Sequence, residues 1–410
     1  MYTPANFVKT IDLSRPVGTV AGEAGTTPTG ASTYTIPIYA PPGTNGLSPS
    51  ISLSYSSQSG TGQAGYGWSI SGLSLISRSG KNLYHNNEVT PVQYVSTNDA
   101  FLLDGMRLTA ISGDNGLDGT IYTTESESFS QIVSYKTSPG LILGPDWFLV
   151  TGKDGSKMEF GKTPDAKLMT DDGERPMLWR LNRIIDIYGN YIDFKYDNSG
   201  RDSRIDEIVY TGNINTGLLP FNKIKFNYGN RYEANTLYES GATVASMYLL
   251  NSIVVKHVND ENAEEVVKTY TLKYGFDNVH SLLKEIEECG TLPPPVIADL
   301  GKGGLPAPPC LNSTIFLYGD TTANFVVQSS PGTTGDKSYY SGDFNADGKS
   351  DLLMVESYFD AYLNMRFDTK YSVTTGSAGN NIHYTKNLPQ GASLTLDDKK
   401  FYHFLTTDYN

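Results

Sequence analysis

Between Pro28 and Gly80 the chain alternates with a period of two, and this alternation constrains the fold more than any other feature. Residues 33–38 alternate small polar side chains with aromatic or branched ones. Residues 50–55 set Ser against Ile, Leu and Tyr, and residues 69–77 repeat the pattern around Leu73 and Leu75. Successive side chains of a strand point to opposite faces, so this period predicts three strands, each with one face inward. Pro41-Pro42-Gly43, Asn45-Gly46, Gly65 and Gly67 fall between the runs, and these residue types supply turns. The block therefore predicts an antiparallel sheet that opens an all-β chain.

The same block resembles a known family, the N-terminal domain of SpvB-type bacterial toxins, shared with the B component of Tc toxin complexes. The likeness is carried by Pro28-Thr29-Gly30-Ala31, Ile36-Pro37-Ile38, Pro41-Pro42-Gly43-Thr44, Gly46-Leu47-Ser48-Pro49 and Leu53-Ser54-Tyr55. It continues through Gly65-Tyr66-Gly67-Trp68-Ser69-Ile70-Ser71-Gly72-Leu73 and Ile76-Ser77-Arg78. Ser56-Ser57 stand where Asn-Ser is usual, and Ala64 where a larger aliphatic is usual; neither alters the turns.

Composition agrees with strands and narrows the partners. With 28 Tyr and 41 Gly and no long Ala/Leu/Glu/Lys runs, the 410 residues read as β rather than as a helical bundle. That length allows two or more domains. A net charge of −13 without a basic cluster argues against nucleic acid, because phosphate binding needs grouped Lys and Arg. No stretch approaches the ~20 apolar residues of a membrane helix, and the first twenty residues do not read as a secretion signal. Two cysteines, Cys289 and Cys310, bracket a loop rich in Pro and Gly. A disulfide there would close about twenty residues; two free thiols at neighbouring strand ends is the other reading. Two cysteines without a nearby histidine cannot fill a tetrahedral zinc site.

Hairpin signals continue down the chain. Asp104-Gly105 sits between apolar runs, Lys153-Asp154-Gly155 follows 147–151, and Tyr188-Gly189-Asn190 joins 178–187 to 191–196. Further strands are expected over 205–210, 221–228, 244–258 and 266–274. Residues 281–288 could form a short helix by pattern, but the family resemblance implies a strand. The piece from Ile187 to Arg201 resembles a YD repeat of the Rhs and Tc β-shells, with glycines at the turns and Tyr and Phe packing across strands.

Beyond the 289–311 loop the texture changes. Strands are expected over 312–318 and 323–328, followed by Asp343-Phe344-Asn345-Ala346-Asp347-Gly348-Lys349-Ser350-Asp351. Oxygen ligands at Asp343, Asn345, Asp347 and Asp351, with the Lys349 carbonyl, suit the six to eight oxygens a calcium ion takes. An EF-hand would place Glu where Met354 stands, and no helical pattern flanks the loop. The motif resembles the β-turn-β calcium loop of FG-GAP propeller repeats. Thr406-Thr407-Asp408-Tyr409-Asn410 lines up with Ser341-Gly342-Asp343-Phe344-Asn345 as the start of a second copy, so the sequence reads as a fragment of a longer protein.

Enzymatic readings are weaker. Glu125-Ser126-Glu127 matches the Glu-x-Glu string of ADP-ribosyltransferases but sits in a Thr/Ser-rich strand pattern whose ordinary explanation is a solvent face. His85, His257, His280, His383 and His403 are scattered. The elbow of hydrolases fails after Gly67-Trp68-Ser69, and Gly60, Gly62 and Gly65 lack the helix a dinucleotide loop requires. Asp171-Asp172 reads as a solvated turn, and Trp68, Trp147 and Trp179 read as core rather than as sugar platforms.

The expectation is an all-β protein of curved antiparallel hairpin sheets followed by an incomplete FG-GAP-type propeller. A flexible lead-in would span 1–27, the SpvB-type domain 28–288, a connecting loop 289–311 and the propeller start 312–410. The resemblance implies a non-enzymatic, secreted structural part of a large toxin, helping to enclose or present a toxic segment outside this chain. Calcium would be its cofactor, and other toxin subunits or the rest of its own polypeptide its partners. The alternative is a secreted or surface calcium-dependent adhesion module.

Overall fold

The computed structural model describes residues 11–95, 98–136, 144–240, 242–259, 261–277, 279–290 and 309–318, and the strand backbones 336–342, 351–360, 365–374 and 386–387. The chain divides into two compact units, Met1–Thr321 and Thr322–Asn410.

The opening block forms a small antiparallel sheet from β1 (Glu23–Thr26), β2 (Ser32–Pro37) and β3 (Ser52–Ser56). A two-residue-strand hairpin, β4 (Thr61–Gly62) and β5 (Gly65–Tyr66), leads to β6 (Trp68–Ser71), and the sheet order is β1-β2-β3-β6. The predicted alternation is realised: Ile36 lies opposite Leu53, and Leu53 opposite Ile70, with Ile36 and Leu53 fully buried. Part of the lead-in is thus ordered as the edge strand β1. The single strand expected over 69–77 is a correction. Gly72, at φ +95°, breaks it, and a Cβ there would lie 2.1 Å from the Ser50 carbonyl oxygen. The chain leaves the small sheet at that point and enters another.

That second sheet begins with β7 (Leu75–Ser79), β8 (Ala100–Leu103), β9 (Met106–Ser112), β10 (Ile121–Thr124), β11 (Gln131–Tyr135), β12 (Trp147–Thr151) and β13 (Lys157–Phe160). A short β14 (Lys167–Met169) follows, then β15 (Pro176–Ile185). β15 closes a ring of eight strands, β7 to β13 with itself, by pairing β7 through its first half and β13 through its second. Inward residues fill the barrel. Phe101, Phe148 and Trp179 meet edge to face with centroids 5.1 to 5.6 Å apart, the geometry aromatic quadrupoles favour. Asp104 and Gly105, both at positive φ, make the expected tight turn between β8 and β9.

From β15 the sheet runs on through β16 (Asn190–Asp197), β17 (Arg204–Asn213), β18 (Asn222–Glu239), β19 (Ala242–Val258), β20 (Glu264–Phe276), β21 (Ser281–Gly290) and β22 (Thr314–Ile315). Residues 281–288 are strand, as the resemblance implied. One face is apolar: Phe194, Ile208, Ile224 and Val255 stand side by side across β16 to β19 and are buried. The small sheet covers this face. Tyr210 Oη donates to the Pro41 carbonyl at 2.9 Å, and Tyr39 N donates to Tyr270 Oη at 3.2 Å.

Cys289 and Cys310 are joined in a disulfide across 21 positions of sequence. Residues 312–318, expected to open the propeller, belong instead to the first unit. Only Thr314–Ile315 is strand. Phe316 packs against Trp68 at 4.8 Å between centroids, so burial of its ring holds this segment on the small sheet. The boundary placed within 289–311 accordingly falls later, between Thr321 and Thr322.

The second unit contains β23 (Asp336–Gly342), β24 (Asp351–Asp360), β25 (Met365–Thr374) and β26 (Lys386–Asn387), paired antiparallel in sequence order. The strand expected over 323–328 and the partial repeat at 406–410 lie outside the described residues.

Candidate functional site

Asp343, Asn345, Asp347 and Lys349 lie outside the described residues. Asp351 is the first residue of β24, and the register sets it opposite Gly342 at the end of β23. The residues that flank the motif are therefore two paired strands whose ends are held together, rather than helices.

The other candidates are dispersed. Glu125 and Glu127 lie in an exposed turn just after β10, a correction to the strand expected there. Glu125 meets His85 Nε2 at 3.0 Å, while Glu127 accepts from Phe129 N at 2.7 Å. His257 contacts Asn222 Oδ1, and His280 stacks against Tyr66; His383 and His403 lie outside the described residues. Asp171 and Asp172 are engaged rather than merely solvated. Asp171 accepts from Thr243 N and Oγ1 and meets Arg201, and Asp172 accepts from Thr170 Oγ1 and Glu174 N. Gly62 and Gly65 form the β4–β5 hairpin, with no helix after it. Trp68 and Trp179 are core; Trp147 is half-buried and stacks on Tyr135 at 4.2 Å. Among the described residues, one group of three metal-ligating side chains converges, Glu287 with Cys289 and Cys310. Its two sulfurs are bonded to each other, so they cannot serve as thiolate ligands.

The arrangement that remains is the long sheet itself, finished differently on its two faces. On the covered face, buried phenols cap backbone carbonyls. Tyr196 Oη donates to Leu181 O at 2.8 Å, Tyr228 Oη to Ile205 O at 2.8 Å and Tyr274 Oη to Leu250 O at 2.6 Å. Burial pushes all three phenols up from their ordinary value, so they are neutral donors. The opposite face carries cross-strand ion pairs: Arg183–Asp193, Lys195–Glu207, Lys273–Glu285, and Glu264 between Lys223 and Lys256. Hydrogen bonds from Lys223 and then Lys256 hold the Glu264 carboxyl down at about 2. Each exposed pair adds little stability; together they make a wetted polar face. The sheet thus has one face with a buried apolar core and one face that is charged.

Sequence reasoning missed the arginines enclosed by the fold, among them the buried Arg78 and the half-buried Arg180. Arg78 donates through Nη1 to Asp99 at 2.9 Å and through Nε to Pro176 O, beneath the rings of Tyr94, Phe101 and Trp179. Arg180 lies on β15 between the inward Trp179 and Leu181, and so on the opposite face. A lone arginine between apolar residues in a strand pattern was the available signal, and it reads equally as a solvent-facing residue.

Taken together, a barrel continued by a two-faced antiparallel sheet defines an all-β scaffold. Residues 26–269 match the SpvB family, described as Salmonella virulence plasmid 65kDa B protein. The chain belongs to this family. No curated protein matches it. Among solved structures it is similar to a TcdB2-TccC3 crystal structure (17% identity, TM-score 0.62), covering 95% of this chain and 21% of that one. It is also similar to the N-terminal domain of effector protein SpvB from Salmonella typhimurium strain LT2 (21% identity, TM-score 0.51), covering 63% of this chain and 99% of that one. A third similar structure is the Photorhabdus luminescens Tc holotoxin pore (18% identity, TM-score 0.59), covering 97% of this chain and 21% of that one. The chain thus spans about a fifth of the length of the Tc chains it matches.

Proposed function

We propose that this chain is a non-enzymatic wall segment of a large secreted toxin assembly, helping to enclose or present a toxic segment that lies outside it. The observation that carries this reading is the two-faced sheet growing out of a closed barrel. A wall needs a continuous hydrogen-bonded sheet with a covered apolar face, and the reading is supported by strands β15 to β21 pairing in sequence order with Phe194, Ile208, Ile224 and Val255 buried on one face. Family membership supports it, as does the likeness of fold to chains solved as TcdB2-TccC3 and as a Tc holotoxin pore. Its partners would be other toxin subunits or the remainder of its own polypeptide. The four-stranded meander of the second unit suits one blade of a propeller, and calcium would sit in the 343–351 loop, held by Asp343, Asn345, Asp347, the Lys349 carbonyl and Asp351.

The test is limited proteolysis of the native gene product, with whatever chain accompanies it, alongside electron microscopy of the particle. A wall predicts a hollow particle whose enclosed segment resists protease until the sheet is unfolded. Immediate digestion of every segment outside this chain would overturn the proposal.

A further inference from the structure

A cleft of about 220 Å³ opens where the start of β15 meets the far end of the β18–β19 hairpin. Segments distant in sequence build it. Leu168, Met177 and Leu178 from the barrel side, with Val244 and Ala245 from β19, make an apolar wall that continues the small cluster around Ala242. Thr61, Gly62 and Gln63 form the lip, which is pinned: Gln63 Nε2 donates to Ser203 O at 3.1 Å, and its carbonyl accepts from Leu250 N at 2.9 Å. Arg180, Asp202 and Ser203 supply the polar end.

Arg180 is the unusual member. Its guanidinium donates to Ser203 Oγ at 2.8 Å and lies 5.4 Å from the centroid of the Tyr196 ring. Among the described residues it has no ion-pair partner within 4 Å, in contrast to Arg78, Arg183, Arg204 and Arg231, each of which has a carboxylate. Burial pulls its pKa down from the ordinary value, against a weaker opposing pull from Tyr196 and Asp202. Asp202 does not lie within ion-pair distance of it, and Asp202 Oδ2 accepts from the Met247 and Tyr248 amides at 2.6 and 2.8 Å. Removing a cation from water without a paired anion is costly, so such a site favours an incoming anion.

We propose that this cleft binds a small monocarboxylate with a short apolar body, its carboxylate on Arg180 and its carbons against Leu168, Met177 and Val244. The volume equals roughly seven waters' share of liquid, which suits a short branched-chain acid. Glu239, exposed at the rim, and Asp202 beside the polar end disfavour a second negative charge on the ligand.

The probe is 4-methylpentanoate, with 4-methylpentanamide as its uncharged counterpart, titrated calorimetrically into the whole chain and followed by thermal shift. The acid is expected to bind and raise the melting temperature while the amide does neither. Arg180→Met should weaken acid binding more than about tenfold, the loss expected for a charge-assisted hydrogen bond, and should melt no lower than wild type because a half-buried cation without an ion-pair partner is gone. Ala245→Phe fills the cleft, leaves Arg180 in place and should also abolish binding. Equal binding of acid and amide, binding retained in either variant, or no binding of the acid at tens of millimolar would overturn the assignment.

Discussion

Trp68 Nε1 donates to Tyr318 Oη at 3.0 Å, joining residues 250 positions apart. Tyr318 in turn donates to the Leu283 carbonyl at 2.9 Å, so one chain of hydrogen bonds crosses from the small sheet to β21. Trp68 is fully buried among Tyr34, Tyr55 and Phe316. Trp68→Ala should therefore destabilise the first unit by about 3–5 kcal/mol. Tyr318→Phe, which removes the hydroxyl but keeps the ring, should cost about 1–3 kcal/mol. Urea melts of the two variants check both figures, and a Trp68→Ala protein as stable as wild type would show that the small sheet contributes little.

The disulfide closes the loop immediately before that contact. Replacing Cys289 and Cys310 with Ser should cost about 3 kcal/mol for a loop of this length in the chain-entropy model. The same loss should appear when the wild type is melted in reductant. Identical midpoints with and without reductant would contradict it.

Arg78 offers a sharper case, because its charge is paired and buried beneath three aromatic rings. Arg78→Ala strands Asp99 and should destabilise by about 3–5 kcal/mol. The double variant Arg78→Met with Asp99→Asn should recover part of that loss, since neither charge is then left unpaired. Denaturant titration of the single and double variants measures the coupling.

Glu264 sets a pH dependence on the polar face. Its folded carboxyl titrates near 2, below the ordinary 4.5, because Lys223 and Lys256 donate to it. A depressed acid contributes stability that is fully present above 4.5 and disappears as pH falls through about 2. Glu264→Gln should thus flatten the acid limb of the stability curve between those values, and added salt should shrink the difference between the proteins. Parallel acid limbs for variant and wild type would rule this out.

For the proposed calcium loop, Asp347→Ala should abolish any rise in the melting temperature of the second unit on adding calcium. Linkage gives about 2.7 kcal/mol at a hundredfold excess over the dissociation constant. A wild-type melting profile unmoved by chelator would remove calcium from the proposal.

The hairpins were legible because their information is local. Asp104-Gly105 demands positive φ at two positions, and the alternation through 222–226 and 253–255 fixes which side chains face inward. Ring closure was not legible, since the pairing of β15 with both β7 and β13 depends on contacts between distant segments. The break at Gly72 was hidden because Leu73 and Leu75 continue the alternating pattern across it. Arg180 was hidden for a related reason: burial of an outward strand residue depends on what later folds over it, here the 202–203 loop and the β4–β5 hairpin.

Because β15 closes the barrel, the sheet has no free border at that end. At the other end, residues 309–316 lie along β21 through Leu311 N to Glu288 O, Gly290 N to Pro309 O and Phe316 N to Lys284 O. Within the long sheet, among the described residues, that strip is therefore the border at which a further strand could pair, as masonry is laid outward from a finished corner.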